Sequence, residues 1–177
     1  YILTLLEGGI DDPAINKLYL QRTETSINRM ISIVEDLEAI TKLESGELKL
    51  KIEKFDILKL TEEVFEMEQM MAKEQDIILD FSRKPERPVY VRADRKRITE
   101  VLNNLVNNGI KYGRKKGFVK VGFYDMEDHI MVEVADNGIG MEKKDLNRVF
   151  ERFYRVDKSR SREQGGTGLG LSIAKHI

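Results

Sequence analysis

The sequence predicts an α+β fold: a layered α/β sandwich with helices on one face of a mixed sheet, preceded by one long helix. Three observations carry this. From Pro13 to about Glu44 no proline or glycine interrupts the chain, and Ile27, Met30, Val34 and Leu37 recur at three- and four-residue spacing. After Ser45-Gly46 the period changes to two, with Leu48, Leu50 and Ile52 alternating with Lys49, Lys51 and Glu53. Helical and strand-like segments then follow one another in mixed order.

Tyr1 to Glu7 is apolar-rich and ends at Gly8-Gly9, the last turns of a helix closed by glycine. Asp12 before Pro13 is a start signal, a capping side chain followed by proline at the first helical position. Ile31, Ile40 and Leu43 widen the apolar stripe of the long helix beyond what a lone helix leaves in water. It is expected to pair in a dimeric helical hairpin; the alternative is that it packs on the rest of the chain. Asp56 caps a helix running to about Lys73. Short strands follow at Ile77 to Phe81 and Val89 to Val91, around the proline-bearing loop Lys84 to Pro88. Arg95 to Tyr112 is a helix with Ile98, Val101, Leu102, Leu105 and Val106 inward, and Phe118 to Tyr124 and Ile130 to Ala135 form a hairpin. The remainder is irregular and charged until Leu171 to Ala174, which is helical, and there is no internal repeat.

With 41% hydrophobic and 34% charged residues among 177, the chain is a folded protein with a heavily charged surface. Thirty basic residues against 31 acidic ones leave nothing to drive binding to a polyanion, so nucleic acid is not an expected partner. The absence of cysteine excludes disulfides and thiolate metal sites. Apolar runs such as Ile130 to Val132 are far short of the ~20 residues a membrane helix needs. The chain opens at Tyr1 with neither methionine nor signal peptide, and is expected to be a piece of something longer.

The chemistry-bearing residues fall in four places. Asp136-Asn137-Gly138-Ile139-Gly140 follows a strand, and its glycines permit a tight turn and close backbone approach. Asn104 and Asn108 lie four apart on one helix face with Lys111 beside them; an amide oxygen can take one vertex of a Mg²⁺ octahedron and the lysine can meet phosphate. Gly109 in mid-helix costs about 1 kcal/mol relative to alanine, which is easier to understand if something approaches the backbone there. The run Gly165-Gly166-Thr167-Gly168-Leu169-Gly170 precedes a helix, so its amides suit an anion. It is not a P-loop, because Leu171 stands where that motif requires lysine, and Lys143 occupies the third glycine position of a dinucleotide fingerprint. Between the glycine segments, the stretch from Arg152 to Arg162 reads as a mobile basic lid, with a solvated loop anchored in the core by Phe150 and Phe153 as the plainer reading.

The order of these segments resembles the sensor histidine kinases. Asn104 to Tyr112, Asp136 to Gly140, Phe150 to Arg155 and Gly165 to Leu171 are similar to that family's N, first glycine, F and second glycine boxes. The resemblance runs from about Leu48 to the end, and Asp12 to Gly46 resembles the second helix of the dimerisation hairpin. It implies two units: residues 1–46, part of the hairpin without its phosphoacceptor segment, and residues 47–177, an ATP-binding domain of the Bergerat type, truncated near its end. It further implies that Asp136 accepts the adenine amino hydrogen, that Asn108 ligates Mg²⁺, and that Asn104 and Lys111 sit at the phosphates with Tyr112 at the nucleotide. Gly138, Ile139, Gly140 and Tyr154 join the ATP-binding set; Arg155 and Lys158 close over the triphosphate, and Gly166, Thr167, Gly168, Leu169 and Gly170 wrap it. In ATP-hydrolysing relatives a glutamate stands at the position of Asn104. An amide is no general base, so the pocket is expected to hold ATP without fast hydrolysis and to reserve the γ-phosphoryl for a protein nucleophile.

Two departures stand out. Gly109 replaces the family's usual alanine. The phosphoacceptor motif, a histidine followed by an acidic residue and Arg-Thr-Pro, is absent, its expected place being about three helical turns before Tyr1. His129 and His176 lack its neighbours, so no catalytic residue is expected in this chain and autophosphorylation by it alone is not expected. The resemblance implies ATP and Mg²⁺ as cofactors, a response-regulator receiver domain as partner, a homodimer for the full-length protein, and a cytoplasmic placement with membrane attachment only through parts outside this chain.

Overall fold

The computed structural model describes residues 1–47, 49–156 and 167–177; Leu48 and the stretch 157–166, which includes Lys158, Gly165 and Gly166, lie outside the described residues. Helix α1 (Ile2–Leu6) ends before Gly8, whose φ of 105° is left-handed, and a 3-10 turn (Gly9–Asp11) leads to the long helix α2 (Asn16–Glu44). The start of α2 differs from expectation. Asp12 accepts from the Ala14 N–H at 2.8 Å and so organises a turn, leaving Ile15 at the N-cap without a side-chain cap.

The alternating segment is also displaced: β1 covers Ile52–Asp56, so Leu50 precedes the strand. Then come α3 (Ile57–Glu74), β2 (Ile77–Arg83), β3 (Tyr90–Asp94), α4 (Arg95–Lys111), β4 (Gly117–Asp125), β5 (Ile130–Asp136), a short α5 (Lys143–Leu146) and α6 (Gly170–His176). The strands form two hydrogen-bonded sheets. β1 and β3 pair antiparallel, with Phe55 opposite Val91, while β2 runs parallel and β5 antiparallel to the central β4. The parallel pair needs a long crossover, which β3 and α4 supply.

Two aspartates at strand ends start the two main helices. Asp56 Oδ1 accepts from the Leu58 N–H and, across the turn, from the Val89 N–H, both at 3.1 Å. Asp94 accepts from the Arg97 N–H at 3.1 Å and the Lys51 N–H at 2.9 Å. Each carboxylate thus caps a helix and ties the neighbouring strand's backbone to it. The core lies between these helices and the strands: Leu60 and Val64 of α3, Leu102, Val106 and Ile110 of α4, and Val119 and Val121 of β4 are buried together. No helix among the described residues is long and apolar enough to cross a membrane.

Asp56→Ala is expected to lower unfolding stability by about 1–2 kcal/mol in urea titrations, since a helix cap and a cross-strand acceptor go together. Asp94 shows a pH signature. The backbone N–H of Lys51, first, and then that of Arg97 hold its carboxyl below the usual 3.8. Its contribution is therefore present above 3.8 and lost as pH falls through the lowered value, so the destabilisation caused by Asp94→Ala should fade in acid.

Candidate functional site

Segments far apart in sequence meet along the C-terminal half of α4. Asn104 and Asn108 are half-buried there, and neither amide hydrogen-bonds to another described residue. Gly170 lies against the first: a Cβ at this position would sit 2.8 Å from Asn104 Oδ1. Gly138 abuts the end of the helix, where a Cβ would come within 2.4 Å of the Tyr112 carbonyl oxygen, which accepts from the Ile139 N–H at 3.0 Å. Only glycine allows the two loops this close. Asp136, at the end of β5, spends one oxygen on the Gly138 N–H at 2.8 Å and is exposed, so its carboxylate keeps acceptor capacity for a ligand. Ile139 and Gly140, the latter with φ 69°, complete an exposed turn.

Lys111 is half-buried beside these groups. Burial, the larger effect, pushes its ammonium below the ordinary 10.5, and the charge of Glu68 on α3 opposes that. Gly109 needs its bare backbone for another reason than a ligand: a Cβ would be 2.7 Å from Val119 Cγ2, so what approaches is β4. Asn137 is structural as well, its Oδ1 accepting from the Phe118 N–H at 2.8 Å and pinning the turn to β4.

The F-box segment and the second glycine segment are joined by backbone. The N–H of Phe153, which has φ 61°, donates to the Gly168 carbonyl at 2.9 Å, and Gly168 has φ 77°. Phe150 and Phe153 are 43% and 53% exposed, so they are not core anchors. Tyr154 donates its hydroxyl to the buried Asp145 at 2.6 Å, with the Arg148 guanidinium 4.3 Å from its ring centroid. Arg155 is half-buried and engaged.

Side chains of the second glycine segment turn toward α2. Leu169 is fully buried with Ile40 and Ile173, and Ile33 and Leu37 pack around them. Thr167 Oγ1 donates to Asp36 Oδ2 at 3.3 Å, Arg152 pairs with Glu44, and His176 Nε2 lies 3.5 Å from Glu44 Oε1. Part of the apolar stripe of α2 thus packs on the rest of the chain, while Ile27, Met30, Ile31 and Val34 stay exposed. A cavity of about 510 Å³ lies elsewhere, between β3, β5 and the first half of α4, lined by Val91, Ile98, Leu102, Leu105 and Val132 among others. None of the expected nucleotide residues borders it.

The family model for histidine kinase-, DNA gyrase B- and HSP90-like ATPases matches residues 93–177, the stretch that carries α4, the turn after β5 and both the F-box and second glycine segments. The catalytic domain of histidine kinase ThkA superposes with a TM-score of 0.63 at 30% identity, covering 72% of this chain and 80% of that one. The chain belongs to the histidine kinase family. Sensor histidine kinase WalK of Bacillus subtilis (strain 168) is 38% identical over 180 residues, covering the whole of this chain and 29% of the relative. The chain therefore spans about three tenths of the length of that relative. ThkA has also been solved in complex with response regulator protein TrrA, with a TM-score of 0.67 and 26% identity over 92% of this chain and 49% of that one. Full-length ShkA in complex with AMPPNP gives a TM-score of 0.76 at 25% identity, covering 91% of this chain and 33% of that one.

For this histidine kinase chain, sequence reasoning missed Asp36, Glu44, Glu68 and Asp145. Asp36, Glu44 and Glu68 have partners more than thirty residues away, at Thr167, Arg152 and Asn107. Glu68 had a visible signal: it occupies the slot that the apolar stripe Leu60, Val64 and Ala72 leaves between its last two members.

Burial raises the Asp36 carboxyl above the usual 3.8, with the Thr167 hydroxyl opposing. A raised folded value means that the ionised acid weakens the packed state, a penalty present above that value and absent below 3.8. Asp36→Asn keeps an acceptor for Thr167 and is expected to slow amide hydrogen exchange across Leu169 to Ile173 at pH 7. The gain should shrink on acidification.

Proposed function

We propose that this chain is the ATP-binding part of a sensor histidine kinase, which transfers the γ-phosphoryl of ATP to a histidine supplied by the helical hairpin for relay to a response-regulator aspartate. The observation that carries this is the convergence on α4 of two uncommitted amides, an exposed aspartate and two glycine segments. Asp136 takes the adenine amino hydrogen with the lone pairs that the Gly138 N–H leaves over. Asn104 and Lys111 meet the phosphates, Tyr112 lines the nucleotide, and the backbone of Thr167 to Gly170 borders the triphosphate with Arg155. Lys158 and Gly166, which lie outside the described residues, are assigned to the same phosphates by the family resemblance alone.

Among the described residues no cluster of three carboxylates or imidazoles could hold a metal by itself. The one protein donor this reading assigns to Mg²⁺ is the amide oxygen of Asn108, which would hold one vertex while phosphates and water take the rest. Held there, Mg²⁺ would supply charge neutralisation to the phosphates. Transfer forms a P–N bond to the imidazole, breaks the bond from the γ-phosphorus to the bridging oxygen, and releases ADP, with the imidazole proton passing to solvent. His129, exposed beside Asp128, and His176, beside Glu44, are not the acceptors in this reading. ShkA with AMPPNP and ThkA with TrrA support ATP and a receiver domain as partners. The exposed stripe of α2 supports a dimer in the full-length protein, and any membrane attachment lies in other parts of it.

Asp136→Asn should weaken ATP binding roughly ten- to a hundredfold by calorimetry, the loss of a hydrogen bond to a charged acceptor. Unchanged affinity would sink the proposal. Mixed with a phosphoacceptor hairpin and labelled ATP, the wild-type chain should yield an acid-labile phosphohistidine; steady phosphate release without an acceptor would mark an ATPase instead.

A further inference from the structure

One buried acid has no part in the reaction as described. Glu68 is 9% exposed, in the stripe of α3 that otherwise buries Leu60, Val64 and Ala72. A carboxylate there costs free energy unless something compensates it. The Asn107 amide of α4 donates to its Oε2 at 3.0 Å, a neutral donor that anchors the acid without adding a counter-charge. Lys111 is one turn further along α4. At about 100° per residue, positions 103, 107, 111, 104 and 108 follow one another round the helix, so Lys111 lies between the column that meets Glu68 and the asparagine column of the nucleotide site.

We propose that Glu68 is a positioning residue for nucleotide phosphate: anchored by Asn107, its charge holds the Lys111 ammonium at the border between α3 and the phosphate face. This rests on the reading of Lys111 as a phosphate-facing side chain. A half-buried lysine is disfavoured in its charged form, and Glu68 is the group that acts against this. The arrangement also explains why a glutamate is tolerated in an apolar stripe. Asn107 restrains the acid, whereas no ion pair within 4 Å ties the Lys111 ammonium to it, so the influence of Glu68 on Lys111 is that of a fixed charge nearby.

The test compares ATP with adenosine, which lacks phosphate, by calorimetry and ligand-observed NMR on this chain. Lys111→Met should weaken ATP at least tenfold and leave adenosine within about twofold. Glu68→Gln, which keeps the volume and an acceptor for Asn107, should also weaken ATP roughly three- to tenfold with adenosine unchanged, and should add nothing in the Lys111→Met background. Glu68→Asp, which restores the charge, should recover most of the loss. If Lys111→Met leaves ATP affinity intact, the phosphate reading of Lys111 fails and takes this inference with it. If Lys111→Met weakens ATP while Glu68→Gln does not, or weakens ATP and adenosine alike, or is not relieved by Glu68→Asp, only the role of Glu68 is overturned. Thermal unfolding checks each variant. Should Glu68→Gln not fold, Asn107→Ser removes the anchor and keeps both charges; it should give the same ATP-selective loss, and an unchanged ATP affinity would overturn the proposal.

Discussion

The close seating of the last turns of α4 is the constraint on which the site depends. Three glycines make it possible: Gly109 lets Val119 of β4 come against the helix, Gly138 lets the β5 turn reach the Tyr112 carbonyl, and Gly170 lets the start of α6 lie on Asn104. A Cβ at any of the three would fall within 2.8 Å of a neighbouring atom. Helix, sheet end and C-terminal segment would then have to move apart. Because Asp136 is the last residue of β5 and Asn108 directly precedes Gly109, this packing also sets the distance between the aspartate and the amides. The glycines of such a site thus serve packing before they serve a ligand.

A second dependence links the site to the long helix. The segment that borders the triphosphate in the proposed function is held from behind by α2, through Leu169 on Ile40 and Thr167 on Asp36. Full burial of a leucine contributes about 1.5–3 kcal/mol, whereas the ion pairs at Glu44 are exposed and contribute little by comparison. Apolar packing therefore dominates this attachment. The glycine segment and α2 share one apolar cluster, formed by Leu169, Ile40 and Ile173.

Local rules were legible wherever their cause was local. The Asp56 cap, the helix Arg95 to Tyr112 and the hairpin after it appear within a few residues of their expected limits, because caps and periodicities act over one or two turns. The Asp12-Pro13 start failed for the same kind of reason: the aspartate found a nearer N–H at Ala14 and made a turn. The phenylalanines of the F box failed differently. Apolar side chains ordinarily go inward, but Phe153 sits at positive φ, tied by its N–H to Gly168, and this backbone bond places the ring outward.

By itself, the sequence determined the element types, the family and the four segments that carry the candidate site, since these rest on spacing within single segments and on the order of four motifs. Only the tertiary structure decided what each convergent residue is committed to: Tyr154 to Asp145, Asn137 to Phe118, Thr167 to Asp36, Glu68 to Asn107. Periodicity tells which face of a helix is buried and says nothing about the partner. A polar group gains its role from the donor or acceptor that folding brings within about 3 Å, and the partners of Thr167 and Glu68 lie 131 and 39 residues away in the chain.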